Sequence, residues 1–215
     1  MVQLATLINL TQQFITERNW WQFHNPKNDA YNVLIEASEL AELLIQPELT
    51  AAQHQACAEE LADVLSAIFS FSVVSQLNLV AQLEQQLNTR SNASYSQLSY
   101  TELKTLVVNQ SALLGLAQLA TPTQVGLSLI FQAGRLADLF NWQNAASSVA
   151  RAQAQMTVLS HRTVQIVVHL VWLAYLLKID LSVEFQQKMA KNFRKFPVAQ
   201  AQGDNWLAIK DGLRQ

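Results

Sequence analysis

Two pairs of acidic residues are the feature of this sequence most suited to chemistry. Glu36 and Glu39 form one pair, and Glu60 and Asp63 form the other, each on a stretch rich in leucine and alanine. A spacing of three residues places both carboxylates of a pair on one face of a helix. Four carboxylates gathered by two packed helices repel one another, and a hard divalent cation such as Mg²⁺, which prefers oxygen ligands, relieves that repulsion. The sequence therefore predicts a Mg²⁺ site formed by these four residues.

The same pattern has a purely structural alternative. An acidic pair at this spacing is also typical of the solvated edge of an amphipathic helix. The metal site is favoured because a predicted helical hairpin joins the two pairs, and because seven of the sixteen acidic residues lie between Glu36 and Asp63. At the level of the sequence both interpretations stay open.

The composition predicts an all-α protein. Half of the 215 residues are apolar, and only five glycines and four prolines interrupt them. Few helix breakers and little alternation of apolar with polar residues favour helices over strands. We expect helices near residues 3–18, 29–45, 51–77, 79–90, 101–118, 123–140, 154–177 and 181–195. The apolar run 164–177 is too short to span a membrane and contains Gln165 and His169, so we expect a buried core helix there.

Charge and cysteine content exclude several classes of function. A net charge of −2 gives no electrostatic case for binding a nucleic-acid polymer. The single cysteine, Cys57, excludes an intramolecular disulfide and fits a reducing cytosol. The N-terminus lacks the basic region and cleavage site of a signal peptide. We therefore expect a cytoplasmic protein without a membrane or nucleic-acid partner.

The second half of the sequence resembles the first. Residues 34–43 align with residues 130–139 at an offset of 96, which also brings Pro26 onto Pro122. Farther along the chain the offset becomes 102, so that residues 77–79 align with residues 179–181. Self-similarity of this kind indicates duplication of a structural unit.

The duplication predicts two tandem four-helix units that pack as an intramolecular pseudo-dimer. The first unit is expected over 1–90 and the second over 101–198, with a linker at 91–100 and a tail at 199–215.

The two predicted units differ in their charged residues. The four acids of the first unit correspond, in order, to Gln132, Arg135, Arg162 and Gln165 of the second. Conversely, four of the chain's fourteen basic residues fall within eight positions near the end of the second unit, at Lys188, Lys191, Arg194 and Lys195. The sequence therefore predicts one divided site, with acids from the first unit and cations from the second.

These motifs resemble those of a known family. The two acidic pairs resemble the Glu-x-x-Glu … Glu-x-x-Asp metal motif of the MazG-like all-α nucleoside triphosphate pyrophosphohydrolases. Residues 14–28 and the segment from Lys188 to Pro197 resemble signatures of the dCTP pyrophosphatase group within it. The resemblance implies hydrolysis of a nucleoside triphosphate, with a dCTP-like pyrimidine as the expected substrate, to the monophosphate and pyrophosphate. Family members assemble as dimers or tetramers, so a homodimer of pseudo-dimers is one expected assembly.

The resemblance also implies roles for individual residues. Mg²⁺ is expected on Glu36, Glu39, Glu60 and Asp63, and either Glu39 or Glu42 is expected to orient the attacking water. The nucleobase is assigned to Trp20 and His24, with Trp142 closing the pocket from the second half. Phosphate or sugar contacts are assigned to Lys27, Asn28, Lys188, Lys191, Asn192, Arg194 and Lys195.

Several of these roles have structural alternatives. Trp20 could instead pack between helices, and Asn28 could be a helix cap. The basic helix end could simply complement the helix dipole. Glu59 is offset by about 100° from Glu60, so we expect it to face solvent. The loss of acids from the second half, and Phe196 where the family carries tyrosine, also favour an alternative function, a non-catalytic nucleotide sensor or a helical scaffold.

Overall fold

The computed structural model describes residues 1–46, 48–87 and 98–203, which form ten helices joined by turns. In chain order the helices are α1 (Leu4–Glu17), α2 (Pro26–Leu43), α3 (Ala51–Val74), α4 (Leu79–Gln86), α5 (Tyr100–Asn109), α6 (Pro122–Asp138), α7 (Ala145–Ala154), α8 (Met156–Leu176), α9 (Leu181–Lys195) and α10 (Val198–Ala201). A single 3₁₀ turn, Trp21–Phe23, precedes α2. The prediction of an all-α protein is confirmed for the described residues.

Side-chain caps set where the site-bearing helices begin. The Asn25 side chain accepts a hydrogen bond from the backbone N–H of Asn28 at 3.0 Å, and Pro26 follows as the first residue of α2. Reciprocal capping boxes begin α3 at Thr50 and α6 at Thr121. These caps satisfy N–H groups that have no partner inside the helix. Asn28, one of whose predicted roles was a cap, is therefore not the capping residue of α2.

The helices pack around one continuous apolar core. α2 packs against α3 and α6, and α6 packs in turn against α8. α9 lies on α3 and α4 lies on α8, so the last helix of each half contacts the long helix of the other half. Buried apolar residues from both halves belong to the same cluster. The two halves therefore share a core.

Gly126 marks the close approach of α6 to α2. A Cβ placed there would lie 2.9 Å from Cδ1 of Leu44, whereas a Cβ at Gly134 of the same helix would have no neighbour within 4 Å. Gly134→Ala is expected to raise the free energy of unfolding by about 0.5–1 kcal/mol, because alanine is the better helix former. Gly126→Ala should gain less or lose stability because Leu44 must move. Urea denaturation of both variants measures the difference, and equal gains would contradict the close approach.

Two parts of the second half depart from the predicted helices. The helix expected at 101–118 ends at Asn109, and hydrogen-bonded turns follow, including Gly115 at φ +71°. The structure also contains α7, which was not predicted. Only Ser148 and Ala152 of α7 are buried, so its sequence lacks the apolar periodicity that identifies a helix. The tail predicted to be irregular begins with the short helix α10, whose Ala201 is buried.

The long apolar helix α8 lies inside the protein, as predicted for residues 164–177. His169 is buried on it, and its Nδ1 lies 2.6 Å from the carbonyl oxygen of Gln165. Within the described ranges, no single helix meets the length and hydropathy needed to cross a bilayer. Two helix pairs, α3 with α4 and α8 with α9, meet them only jointly, and these pairs are bent by 105° and 102°. The predicted linker up to residue 97 and the tail after residue 203 lie outside the described residues.

Candidate acidic site

Three of the four predicted metal ligands meet where α2 packs on α3. One carboxylate oxygen from each of Glu36, Glu60 and Asp63 lies within 4.8 Å of the other two. All three side chains are half-buried. α2 and α3 form an antiparallel hairpin that brings these three carboxylates together. Apolar residues of both helices are fully buried, namely Ala37 and Leu40 of α2 and Leu61 and Ala62 of α3. We refer to Glu36, Glu60 and Asp63 as the acidic cluster.

Glu39 and Glu42, the two candidates for orienting a water molecule, are exposed on α2. Glu39 is not one of the three residues whose oxygens lie within 4.8 Å of one another. Its negative charge nevertheless raises the pKa of Glu36, Glu60 and Asp63, so it lies beside the cluster. Its role as a fourth ligand, and the role of either residue in catalysis, stay predictions.

Burial and mutual repulsion disfavour the charged forms of the three carboxylates in the cluster. Burial, together with the charges of Asp63, Glu39 and Glu60, raises the pKa of Glu36 to about 7 against the opposing charge of a nearby lysine. Burial and the charge of Asp63 raise the pKa of Glu60. Burial also raises the pKa of Asp63, although the neighbouring Lys188 opposes the rise. A cation placed among these carboxylates would reverse the shifts because it favours their charged forms.

The donor atoms of the cluster fit Mg²⁺. All are carboxylate oxygens, which hard divalent cations prefer. The Oε2 atom of Glu60 is buried and has no hydrogen-bond partner among the residues that the structure describes. A buried polar atom without a partner is costly, and a bound cation would satisfy it. Among the described residues this is also the one group of three acidic, histidine or cysteine side chains spaced for a metal ion.

One basic residue of α9, Lys188, reaches the acidic cluster, and a second, Lys191, reaches the neighbouring Glu59. The ammonium of Lys188 donates a short hydrogen bond to Oδ2 of Asp63 and lies 3.9 Å from Oε2 of Glu59. Lys191 donates to the same oxygen of Glu59 at 2.6 Å. Burial lowers the pKa of Lys188, but the charges of Asp63, Glu60 and Glu59 outweigh it and leave the pKa raised. Residues 125 positions apart thus form one charged network.

Glu59 was expected to face solvent, and its side chain is 36% exposed but also belongs to the charged network. The hydrogen bond from Lys191 lowers the pKa of Glu59. The sequence argument considered only the geometry of α3. The packing of α9 on α3 brings two ammonium groups to Glu59, and nothing in the local sequence indicates this.

The raised pKa of Glu36 predicts a pH dependence of stability. Its carboxyl titrates near 4.5 when unfolded and about 7 when folded, so the folded state binds the extra proton between these values. The contribution of Glu36 to the free energy of unfolding is therefore fully present below about pH 4.5 and is lost as the pH rises through 7. Urea denaturation across this range should show the fall, and Glu36→Gln should flatten it.

The exposed residue Glu48 provides the matched control for that measurement. Glu48→Gln removes one carboxylate of the same half without touching the acidic cluster, so its pH profile should follow that of the unmodified protein. A Glu36→Gln profile as steep as that of Glu48→Gln would contradict a raised pKa at Glu36.

His24, predicted to contact the nucleobase, is held in place by two buried side chains. Its Nδ1 lies 2.9 Å from Oδ1 of Asp29 and 2.9 Å from the hydroxyl of Ser70, which itself donates to Asp29 at 2.5 Å. Within the described part of the chain, Nε2 of His24 makes no hydrogen bond. The sequence analysis did not identify Asp29 or Ser70. An aspartate in the first turn of a helix is usually explained by its favourable interaction with the helix dipole.

Trp20, the other residue predicted to contact the base, packs in an aromatic cluster. Its ring lies edge-on to those of Phe14 and Phe196, each with centroids 5.4 Å apart. Its indole N–H donates to the carbonyl of Ala201 at 2.8 Å. The structural alternative for Trp20 is therefore observed, while base stacking stays a prediction.

Arg18 connects the segments that form this aromatic cluster, and the sequence analysis did not identify it. The residue is 1% exposed, and its guanidinium donates to the carbonyls of Phe196 at 2.7 Å and Phe14 at 3.0 Å. It also lies 4.0 Å from the ring centroid of Phe14. Arg18 thereby joins α1 to the segment after α9.

The remaining predicted substrate residues are scattered around this region. Lys27 donates to the carbonyl of Gln143 at 2.7 Å, across the two halves, and Asn28 donates to the carbonyl of Phe23 at 3.1 Å. Trp142 is 91% exposed. Asn192 is half-buried, whereas Arg194 and Lys195 are exposed at the end of α9. Substrate contacts by these residues stay predictions.

Comparisons of the chain with protein-family models, with curated proteins and with solved structures find no match. A function for the protein is therefore inferred from its own residues. Chemically, a half-buried carboxylate cluster with lysines at its rim can hold a divalent cation and attract a polyanion.

Proposed function

We propose that this protein is a Mg²⁺-dependent nucleoside triphosphate pyrophosphohydrolase of the MazG-like type. The substrate is a nucleotide, with a dCTP-like pyrimidine preferred, and the products are the monophosphate and pyrophosphate. The observation that carries the proposal is the contact of Lys188 of α9 with Asp63 of the acidic cluster, next to the pair of Lys191 with Glu59. A triphosphate bound with Mg²⁺ needs both kinds of charge within a few ångströms of each other.

In this proposal each group of residues has a separate role. Glu36, Glu60 and Asp63 hold the cation, which when bound neutralises the triphosphate and lowers the pKa of a bound water. Lys188 and Lys191 leave their carboxylate partners for the phosphates, where a lysine acts as a point charge. The exposed carboxylate of Glu39 or Glu42 orients the water. His24 offers Nε2 to the nucleobase, with Asp29 and Ser70 fixing its ring.

The proposal includes internal duplication, and the helix boundaries support it. Pairs of helices begin at the offsets expected from the sequence, 96 residues apart for α1 with α5 and for α2 with α6, and 102 apart for α4 with α9. Rare backbone conformations recur at the same offsets. Positive φ values occur at Asn19 (+56°) and Gly115 (+71°), and again at Gln76 (+56°) and Lys178 (+58°).

Contacts between the halves also support a two-fold arrangement. An isolated antiparallel bridge joins Gln3 to Ser99, which are themselves 96 residues apart. Lys188 lies near Glu59 where α9 meets α3. Gln86, 102 positions before Lys188, and His161, 102 positions after Glu59, make the equivalent contact where α4 meets α8. There Gln86 Oε1 lies 3.3 Å from Nδ1 of His161. Equivalent positions therefore meet on both sides, a lysine with a glutamate on one side and a glutamine with a histidine on the other.

The test is pyrophosphate release from a panel of dNTPs, NTPs and modified pyrimidine triphosphates, with and without Mg²⁺. Conversion to monophosphate that requires Mg²⁺, with the fastest turnover among pyrimidine deoxynucleotides, is the expected result. Folded protein that neither releases pyrophosphate nor is stabilised by Mg²⁺ with a nucleotide would overturn the proposal, because a ligand of the native state raises its stability.

One observation favours a second function, a non-catalytic nucleotide sensor. Lys188 already neutralises Asp63, so an ammonium occupies the position beside the carboxylates that a metal ion would share. If this contact persists with ligand bound, nucleotide will bind without hydrolysis. Tight nucleotide binding together with no pyrophosphate release in the same panel would select this alternative.

A further inference from the structure

The second half carries two arginines at the positions that correspond to Glu39 and Glu60. Arg135 lies on α6 and Arg162 lies on α8, and these helices pack against each other. Within the described residues, no hydrogen bond or ion pair joins either guanidinium to another side chain or to the backbone. The contact of Arg135 is with the ring of Phe131, 5.2 Å from its centroid. Both arginines are therefore available to a ligand.

Arg162 is the less solvated of the two. Its Nε atom is buried and finds no acceptor in the described ranges of the chain. Burial lowers the pKa of Arg162, and the positive charge of Arg135 lowers it further, so the two cations lie close enough to repel each other. An anion beside the two guanidiniums would supply an acceptor for this Nε and the opposite charge.

Two glutamines extend the same surface. Gln132 lies three residues before Arg135, and Gln165 lies three residues after Arg162, so each shares a helix face with its arginine. A glutamine amide donates two hydrogen bonds, and an arginine offers five N–H groups in a planar fork that matches phosphate oxygens. The four positions that hold acids in the first half thus hold cations and amides here.

We propose that Arg135 and Arg162 form an anion site for a phosphate group, separate from the acidic cluster. The site binds its ligand without hydrolysis because none of the four positions that carry the acids of the first half has a carboxylate here to hold a metal ion. This inference concerns other residues than those of the proposed catalytic function and does not depend on it.

The test is binding of inorganic pyrophosphate to the full chain in EDTA, by calorimetry or ³¹P NMR, so that the acidic cluster holds no metal. We expect one equivalent to bind. Arg135→Gln and Arg162→Gln should each weaken binding by about tenfold or more, since each removes charge-assisted hydrogen bonds. Arg162→Lys, which keeps the charge but loses the fork, should also weaken it. Arg135 is exposed, so its replacement leaves the fold intact.

Two control variants separate this site from general attraction of anions. Lys178→Gln removes one exposed positive charge at a position of φ +58°, a conformation that glutamine already adopts at Gln76, and it should bind pyrophosphate normally. Arg194→Gln alters the basic end of α9. Weaker binding in Arg194→Gln with unchanged binding in Arg135→Gln and Arg162→Gln would overturn the proposal, as would the absence of binding to the unmodified protein.

Discussion

Glu60→Gln is expected to reduce Mg²⁺-dependent pyrophosphate release by more than about 100-fold while leaving the protein folded. Even outer partners of metal ligands change metal affinity or activity by about 10–100-fold, and Glu60 is proposed as a direct ligand with a buried, unsatisfied Oε2. Glutamine has nearly the same shape but no charge. It also removes repulsion from Asp63 and Glu36, so the metal-free variant should be at least as stable as the unmodified protein.

Two measurements on Glu60→Gln distinguish lost chemistry from lost structure. Turnover is followed with the preferred nucleotide, and Tm is recorded with and without Mg²⁺. The variant should lose both turnover and the rise in Tm that Mg²⁺ with a nucleotide causes, whereas the exposed control Glu48→Gln should keep both. A Glu60→Gln protein with normal turnover would exclude the acidic cluster as the catalytic metal site.

Lys188→Met is expected to destabilise the protein by about 2 kcal/mol or more at neutral pH. Removing one partner of a largely buried ion pair leaves an uncompensated charge, which is typically worth about 3–5 kcal/mol when burial is complete. Here the side chain of Lys188 is 16% exposed and that of Asp63 21% exposed, so a smaller value is expected. Methionine preserves most of the apolar length of the lysine.

The loss in Lys188→Met should depend on pH and on Mg²⁺. At pH 5 the carboxylates with raised pKa bind protons more readily, so less charge is left unpaired and the penalty should shrink. Saturating Mg²⁺ should restore stability because the cation takes the place of the ammonium. Chemical denaturation at pH 5 and pH 8, with and without Mg²⁺, measures both effects.

Lys191→Met is the matched control for Lys188→Met. Its side chain is 55% exposed and pairs with Glu59 at 2.6 Å. Exposed pairs contribute about 0–1 kcal/mol, so its loss should be small and insensitive to Mg²⁺. Equal penalties in the two variants would show that the acidic cluster does not depend on Lys188.

The sequence by itself determined the helical class and the first members of the site. Helix periodicity and capping are local, so the spacing of Glu60 and Asp63 was enough to place both carboxylates on one face of α3. Glu36 likewise lies on a stretch rich in apolar residues, and its side chain is half-buried on α2. The helix α7 was not predicted because few of its residues are buried, so its sequence lacks the apolar periodicity that identifies a helix.

The tertiary structure alone decided which side chains meet. Lys188 contacts Asp63 over a separation of 125 residues, Ser70 of α3 fixes His24, and α9 turns Glu59 into part of the charged network. Trp20 lies in an aromatic cluster with residues near the chain's far end. Such contacts arise from how helix faces pack against one another, and the residues of a single helix do not specify its packing partner. The sequence therefore indicated which carboxylates share a helix face, whereas the charge balance around them, which governs their pKa values, depended on the packing of α9 on α3.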